Sequence, residues 1–376
     1  MEWIPRVVDL DERIKPGRAT VIYGPRQVGK SSLVEHWLAD HPGRTLRASG
    51  DDIVVRSLLS SQDSEQISRW ASGYDVLFLD EAQRIPDVGW GLKILVDTRP
   101  DLTILVTGSA SFALAGQVGE PLTGRQTPIA LYPIAATELP LNDYELSQAL
   151  PNLLVYGLYP EVRTASSDSD RAEILKELMA SYLVKDILEL DRVKGAKVLV
   201  DLLTLVALQV GSLVSMGELA STLGIDVKTV ARYLDLFEKG YVLLNLRGFS
   251  RNLRQEVNRT SKYYFYDTGV RNAVLGNFNP LTARSDVGVL WENFLVMERL
   301  KAREYARQNA RLYFWRNWQQ AEIDLIEDAG GNLQAYEFKW NPKRRAAAPK
   351  QFREAYPAAG YEVVSQSNWL DFIRLG

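Results

Sequence analysis

The chain has 376 residues, enough for two or three domains, and its 46% apolar and 24% charged residues are the balance of a folded chain, not a disordered one. A formal net charge of −3 excludes bulk attraction to nucleic acid or membrane, so any DNA contact must come from a local basic patch. With no cysteine and only His36 and His41, disulfides, thiolate zinc sites and a histidine ligand set are excluded as well.

The segment from Met1 to Arg6 lacks the basic-then-apolar pattern of a signal peptide. The apolar stretch from Val198 to Val214 is interrupted by Asp201 and Gln209 and is too short to span a bilayer, so a buried helix, no membrane partner and a cytoplasmic location are expected.

After the apolar run Thr20-Val21-Ile22-Tyr23 comes Gly24-Pro25-Arg26-Gln27-Val28-Gly29-Lys30-Ser31, followed by Ser32 and an amphipathic segment from Leu33. It fits the phosphate-binding loop G-x-x-x-x-G-K-[ST] at every specified position, between a strand and a helix. Glycines let backbone N–H groups wrap a polyphosphate, and the helix N-terminus adds its positive dipole end. Lys30 is expected to reach the β- and γ-phosphates of ATP, and the Ser31 hydroxyl to bind Mg2+.

Four further apolar runs, at Thr45 to Ala48, Val76 to Leu79, Thr103 to Val106 and Pro128 to Leu131, alternate with helical patterns and predict a five-stranded α/β core with a parallel sheet. The third run delivers Asp80 and Glu81 to the carboxyl edge of its strand, where ligands of such sheets bind. Asp80 is expected to hold Mg2+ through water, and Glu81 to orient and deprotonate the attacking water. The fourth run leads into Thr107-Gly108-Ser109, with Ser109 placed to sense the γ-phosphate. Arg125, in Leu122-Thr123-Gly124-Arg125, is suited to stabilising charge on a transferring phosphoryl group, its own nucleotide's or a neighbour's.

This order of parts resembles the AAA-type ATPases, and more closely the prokaryotic ATP-binding proteins that join such a module to a C-terminal domain of uncertain function. The residues that carry it are the loop from Gly24 to Ser31, Leu79-Asp80-Glu81-Ala82-Gln83, Thr107-Gly108-Ser109, Gly124-Arg125, Leu131-Tyr132-Pro133 with Glu138-Leu139, and Tyr156-Gly157-Leu158-Tyr159-Pro160-Glu161. Leu158 stands where that family usually has a second glycine. The resemblance implies ATP with Mg2+, a homo-oligomer, a ring if Arg125 acts in trans, and Pro160 packed near the adenine.

Helical periodicity through Ile174, Leu175, Leu178, Met179, Tyr182, Leu183 and Ile187 predicts a helical lid over 135–194, after an ATPase core over 1–134. A winged helix-turn-helix is expected over 195–276: a helix from Ser215, a turn at Gly224, and a second helix capped by Asp226. Val227, Val230, Leu234 and Phe237 share one face of that helix and leave Lys228 and Arg232 outward. The runs Tyr241 to Leu246 and Lys262 to Tyr266 then make a wing. Arg247, Arg251, Arg254, Arg259 and Lys262 face only Glu256, a local excess of four positive charges and a DNA-contacting footprint.

Over 277–376 a further α/β domain is expected. Asp324 and Glu337 fall on two strands joined by a turn at Gly330-Gly331, and Glu337 and Lys339, two apart, share a strand face. Two carboxylates and a lysine so placed can hold Mg2+ for phosphodiester hydrolysis. The pattern resembles the restriction-endonuclease-like PD-(D/E)xK core, with Glu292 as its helical acid; an inert ion pair is the competing reading. Phe314, Trp315 and Trp318 are expected in the core. The functional expectation is an ATPase that couples nucleotide turnover to DNA; the alternative is a signalling ATPase whose C-terminal domains bind a protein.

Overall fold

The computed structural model describes residues 3–109, 121–180, 196–250, 261–344 and 346–375. They divide into two compact units, one of Arg6–Pro133 with Lys239–Tyr241, the other of Met1–Pro5, Ile134–Glu238 and Val242–Gly376.

The first unit is built on β1 (Ala19–Gly24), β2 (Thr45–Ser49), β3 (Val76–Asp80), β4 (Thr103–Ser109) and β5 (Gln126–Ala130), in the order β2-β3-β4-β1-β5. All four pairings are parallel. Val76, Leu77, Phe78 and Leu79 of β3 are all buried, as a parallel strand covered on both faces requires. Leu59, Ile67, Leu92 and Leu95, from the helices Ile53–Ser60, Ser64–Trp70 and Val88–Thr98, pack against Leu77, Leu79, Ile104 and Val106. Because β4 lies between β1 and β3, the carboxyl ends of the loop strand and the acid strand flank its own.

In the second unit the region expected as a lid holds the helices Asp143–Tyr156, Pro160–Thr164 and Asp168–Leu178, the last capped by Ser167 accepting from the Asp170 N–H. The helices Ala196–Leu208, Met216–Leu223 and Val227–Lys239 follow, with β6 (Leu213–Val214) between the first two. The Thr229 N–H and hydroxyl both donate to Asp226, fixing the start of the last helix. Val227, expected on its buried face, is 48% exposed; Val230, Leu234 and Phe237 are buried.

The largest departure from expectation is the sheet. β6, β7 (Leu243–Gly248) and β8 (Ser261–Phe265) are continuous with β9 (Arg311–Arg316), β10 (Glu322–Ala329), β11 (Asn332–Phe338) and β12 (Gly360–Val364), in the order β12-β11-β10-β9-β7-β8-β6. The join is a short parallel pairing of β7 with β9, Arg247 beside Tyr313 and Gly248 beside Phe314. One sheet therefore crosses the expected boundary at 276/277, and the helix Val287–Tyr305 packs against both β8 and β11. Phe314 and Trp315 are buried as expected, whereas Trp318 is 88% exposed.

Candidate functional site

At the carboxyl edge of the parallel sheet, β1 ends on Gly24, whose φ is +149° and where a Cβ would lie 2.0 Å from the Leu131 carbonyl oxygen. Only glycine fits that approach. Gly29, at φ +91°, is the N-cap of the helix Lys30–Ala39, and no side chain caps that helix. This is the arrangement in which first-turn N–H groups bind an anion. Lys30, 7% exposed, donates from Nζ to the carbonyls of Gly24 (3.1 Å) and Pro25 (2.6 Å), so its ammonium lies along the start of the loop. Arg6 braces the loop, donating to the Val28 and Tyr132 carbonyls at 2.8 Å each.

Asp80 Oδ1 gathers three donors: the Ser31 hydroxyl at 2.9 Å, the Glu81 N–H at 3.0 Å and the Thr107 hydroxyl. A carboxylate and a hydroxyl side by side, with an ammonium and an uncapped helix start next to them, fit Mg2+ and a polyphosphate in type of ligand. Glu81 takes a left-handed backbone, φ +51°. Gln83 ties it to β4, donating to Glu81 Oε2 at 2.6 Å and accepting the Ser109 N–H at 3.0 Å.

These contacts refine two expectations. The hydroxyl that reaches the acid strand is that of Thr107, while Ser109 lies beside Gly24 in the register of β1 and β4 and is linked to Glu81 through Gln83. Arg125 is at the other edge of the sheet: its carbonyl accepts the Ala19 N–H at the start of β1, and its Nε pairs with Asp97 at 2.6 Å in the last turn of Val88–Thr98. The six residues of β1 separate it from the loop by roughly 16 Å. Arg125 therefore lies at the end of β1 opposite the loop. Pro160 belongs to the second unit, as the first residue of Pro160–Thr164.

In the second unit Glu292, Asp324, Glu337 and Lys339 do lie in one region, but each carboxyl already has a donor. Glu292 Oε1 accepts from the Tyr264 hydroxyl at 2.7 Å and from Lys262 Nζ at 3.4 Å. Asp324 Oδ2 accepts the Phe338 N–H at 2.8 Å, and Lys339 Nζ donates to Glu337 at 2.5 Å. A β-bulge between Ile323 and Ile326 bends β10 at Asp324. Burial, with Asp324 nearby, pushes the Glu292 carboxyl up to about 8, and burial also raises Asp324 and Glu337. Burial alone would lower Lys262, but Glu292 and Glu322 outweigh it and hold the ammonium charged. Among the described residues no three acidic or histidine side chains converge to hold a metal. The expected divalent site at Asp324 and Glu337 does not fit this donor set.

A family model described as AAA domain matches residues 16–140, and two domains of unknown function, DUF8612 and DUF4143, match 147–281 and 287–372. An uncharacterised protein of Mycobacterium tuberculosis is 32% identical over 328 residues, spanning 86% of this chain and 70% of that one. The chain belongs to that protein's family. The family joins an AAA-type module to domains of unknown function, and the chain is also similar to an uncharacterised protein of Methanocaldococcus jannaschii, 22% identical over 85% of this chain and 74% of that one. Among solved structures, a RuvB variant of Thermotoga maritima is 16% identical over 60% of this chain and 81% of that one, with a TM-score of 0.28, too low to inform the site.

Of the expected DNA contacts, Lys228, Arg232 and Arg247 are exposed, and Arg251 and Arg254 lie outside the described residues. Lys262, expected among them, is buried at 1% exposure. Arg6 and Tyr264 are residues that motif reading passes over, and Gln83 and Thr107 stand in the quoted motifs without an assigned role. For Lys262 a signal existed: a lone charge opening the aromatic run Tyr263-Tyr264-Phe265. Among the described residues no helix is long and apolar enough to cross a membrane.

Proposed function

We propose that this protein is a Mg2+-dependent ATPase of the AAA type that couples nucleotide turnover to DNA binding by its second unit. The observation that carries the reading is the convergence on Asp80 Oδ1 of the Ser31 and Thr107 hydroxyls, one residue from Glu81 and beside the loop that holds Lys30. Bound ATP with Mg2+ supplies the phosphoryl group and the charge that organises it. Lys30 and the helix start bind phosphate, Ser31 and Asp80 hold the cation, and Glu81 accepts the proton of the attacking water. Ser109 registers the state of the site through Gln83, Pro160 packs near the adenine, and Arg125 completes a neighbouring subunit's site in a homo-oligomer.

Within the second unit, the Ala136 N–H is held by Glu298 at 2.7 Å and the Ile134 carbonyl by Lys301 at 2.9 Å, both on the helix Val287–Tyr305. The order of helices and strands from Ala196 to Phe265 supports a winged helix that presents Lys228, Arg232 and Arg247 to phosphates, and the order from Val287 to Val364 supports a PD-(D/E)xK-like fold.

Phosphate release from wild type and Glu81→Gln tests the ATPase: turnover should fall by about 10²- to 10⁴-fold with ATP still bound. Equal turnover in the two sinks the assignment. For DNA, anisotropy of a labelled duplex should show affinity that falls with salt and weakens in Lys228→Ala plus Arg232→Ala. If no binding is seen at low salt, the DNA reading fails and a protein partner takes its place.

A further inference from the structure

We propose that Lys262 is an internal cation standing where the nuclease-like fold would take a divalent metal, so that the second unit binds its target without cleaving it. The inference rests on the nuclease-like reading of the strand order and is independent of the ATPase reading.

Lys262 comes from β8, outside the run of strands β9 to β12 that carries Asp324 and Glu337. The pairing of β7 with β9 is what brings it there. Its ammonium contacts Glu292 at 3.4 Å, pairs with Glu322, and lies 5.4 Å from the centre of the Phe314 ring. Two residues along the same strand face, Tyr264 donates to the same Glu292 oxygen that Lys262 contacts. Glu322 is shared with Arg316 at 3.2 Å, and Glu337 is held by Lys339. Three carboxylates, Glu292, Glu322 and Glu337, are thus met by three cations and a phenol, all from this chain.

Mg2+ needs about six oxygen ligands at about 2.0–2.1 Å, and it binds where carboxylates can turn toward it. Here the oxygens are already turned toward nitrogen donors. An ammonium so enclosed cannot leave without stranding the carboxylates, because burying an unpaired charge is strongly unfavourable. The metal is therefore replaced by a group that cannot dissociate, and the water-activating chemistry of a nuclease is lost with it.

The test is Mn2+ binding to the nucleotide-free full-length protein in a Lys30→Ala background, which disables the phosphate loop, read by electron paramagnetic resonance. Lys30→Ala alone should retain no Mn2+ in the second unit, and adding Lys262→Met should create about one Mn2+ site that Asp324→Ala removes. Mn2+ retained by Lys30→Ala and lost on Asp324→Ala overturns the inference, as does a folded Lys262 variant that gains no site. If Lys262→Met does not fold, Lys262→Gln replaces it. Should neither fold, the Lys30→Ala titration decides alone. Metal-dependent DNA cleavage by the wild type that Asp324→Ala abolishes would also overturn it.

Discussion

Each unit gathers acidic side chains in the neighbourhood of a lysine, yet the two sets are neutralised differently. Asp80 is surrounded by hydroxyls, those of Ser31 and Thr107, and Lys30 is held by backbone carbonyls. Hydroxyls and carbonyls can be released at small cost, each such hydrogen bond being worth roughly 0.5–1.5 kcal/mol net. Glu292, Glu322 and Glu337 are instead held by Lys262, Arg316 and Lys339. The same vocabulary of acid and lysine therefore gives a site open to a ligand in one place and a self-satisfied core in the other. What separates them is whether the counter-charge comes from outside the chain or from within it.

The sharpest way to break this contrast is Glu292→Ala. It leaves the Tyr264 hydroxyl without its acceptor and Lys262 with Glu322 as its remaining partner, and an unmet buried hydrogen-bonding group costs about 1–3 kcal/mol. Thermal unfolding should show the loss, while ATP turnover per folded molecule stays as in wild type. A turnover defect with unchanged stability would make Glu292 a working residue and not a structural one.

Glu292→Gln keeps an acceptor for Tyr264 and isolates the charge. Burial, with Asp324 beside it, pushes the Glu292 carboxyl in the folded protein up to about 8, whereas in the unfolded chain it lies near the ordinary carboxyl value. The folded state thus binds more protons across that window, and stability falls as pH rises through it. Asp324, Glu322, Lys262 and Tyr264 all face this group. The difference in melting temperature between Glu292→Gln and wild type should move in the variant's favour from pH 5 to pH 8. A difference that stays flat across those pH values would mean Glu292 is ionised throughout.

The nucleotide site was readable because its information is local. The loop from Gly24 to Ser31 is contiguous, Asp80 and Glu81 end a run of four buried apolar residues, and parallel strands buried on both faces announce themselves as unbroken apolar runs. The caps at Ser167 and Asp226 are local in the same sense. The role of Lys262 was not readable, because it depends on two residue pairs between β7 and β9, whose strands are more than sixty residues apart in sequence. Taken by itself, Lys262 belongs to a basic cluster; the strand it opens decides otherwise. Thr107 and Ser109 are a case between these. Both are small hydroxyl residues at the end of β4, and the register that sets Leu79 beside Val106 decides which one meets Asp80.

That register gives the next prediction. In Thr107→Val the shape is kept and the donor to Asp80 is lost. A hydrogen bond to a charged group is worth about 1.5–3 kcal/mol, so turnover should drop roughly 10- to 100-fold if the contact persists in the working enzyme. Ser109→Ala should do less to Asp80, since the contact it makes through Gln83 uses its backbone N–H. If Ser109→Ala is the more damaging of the two, Ser109 is the direct sensor.

Arg125 carries the smallest expected effect on stability and the most specific one on activity. Its pair with Asp97 leaves both side chains at least 40% exposed, and such pairs are worth about 0–1 kcal/mol, so Asp97→Ala should leave the melting temperature almost unchanged. Its position beside the start of β1, at the end of that strand opposite the loop, makes a neighbouring subunit's nucleotide the target to test. Mixing Arg125→Ala with Lys30→Ala subunits distinguishes the cases. Each variant alone lacks one part of every site, and a mixed assembly contains some sites with both parts, so turnover should reappear. Mixed assemblies that stay inactive would leave Arg125 a surface residue held by Asp97. The contrast between the units would then stand on Asp80 and Lys262 alone.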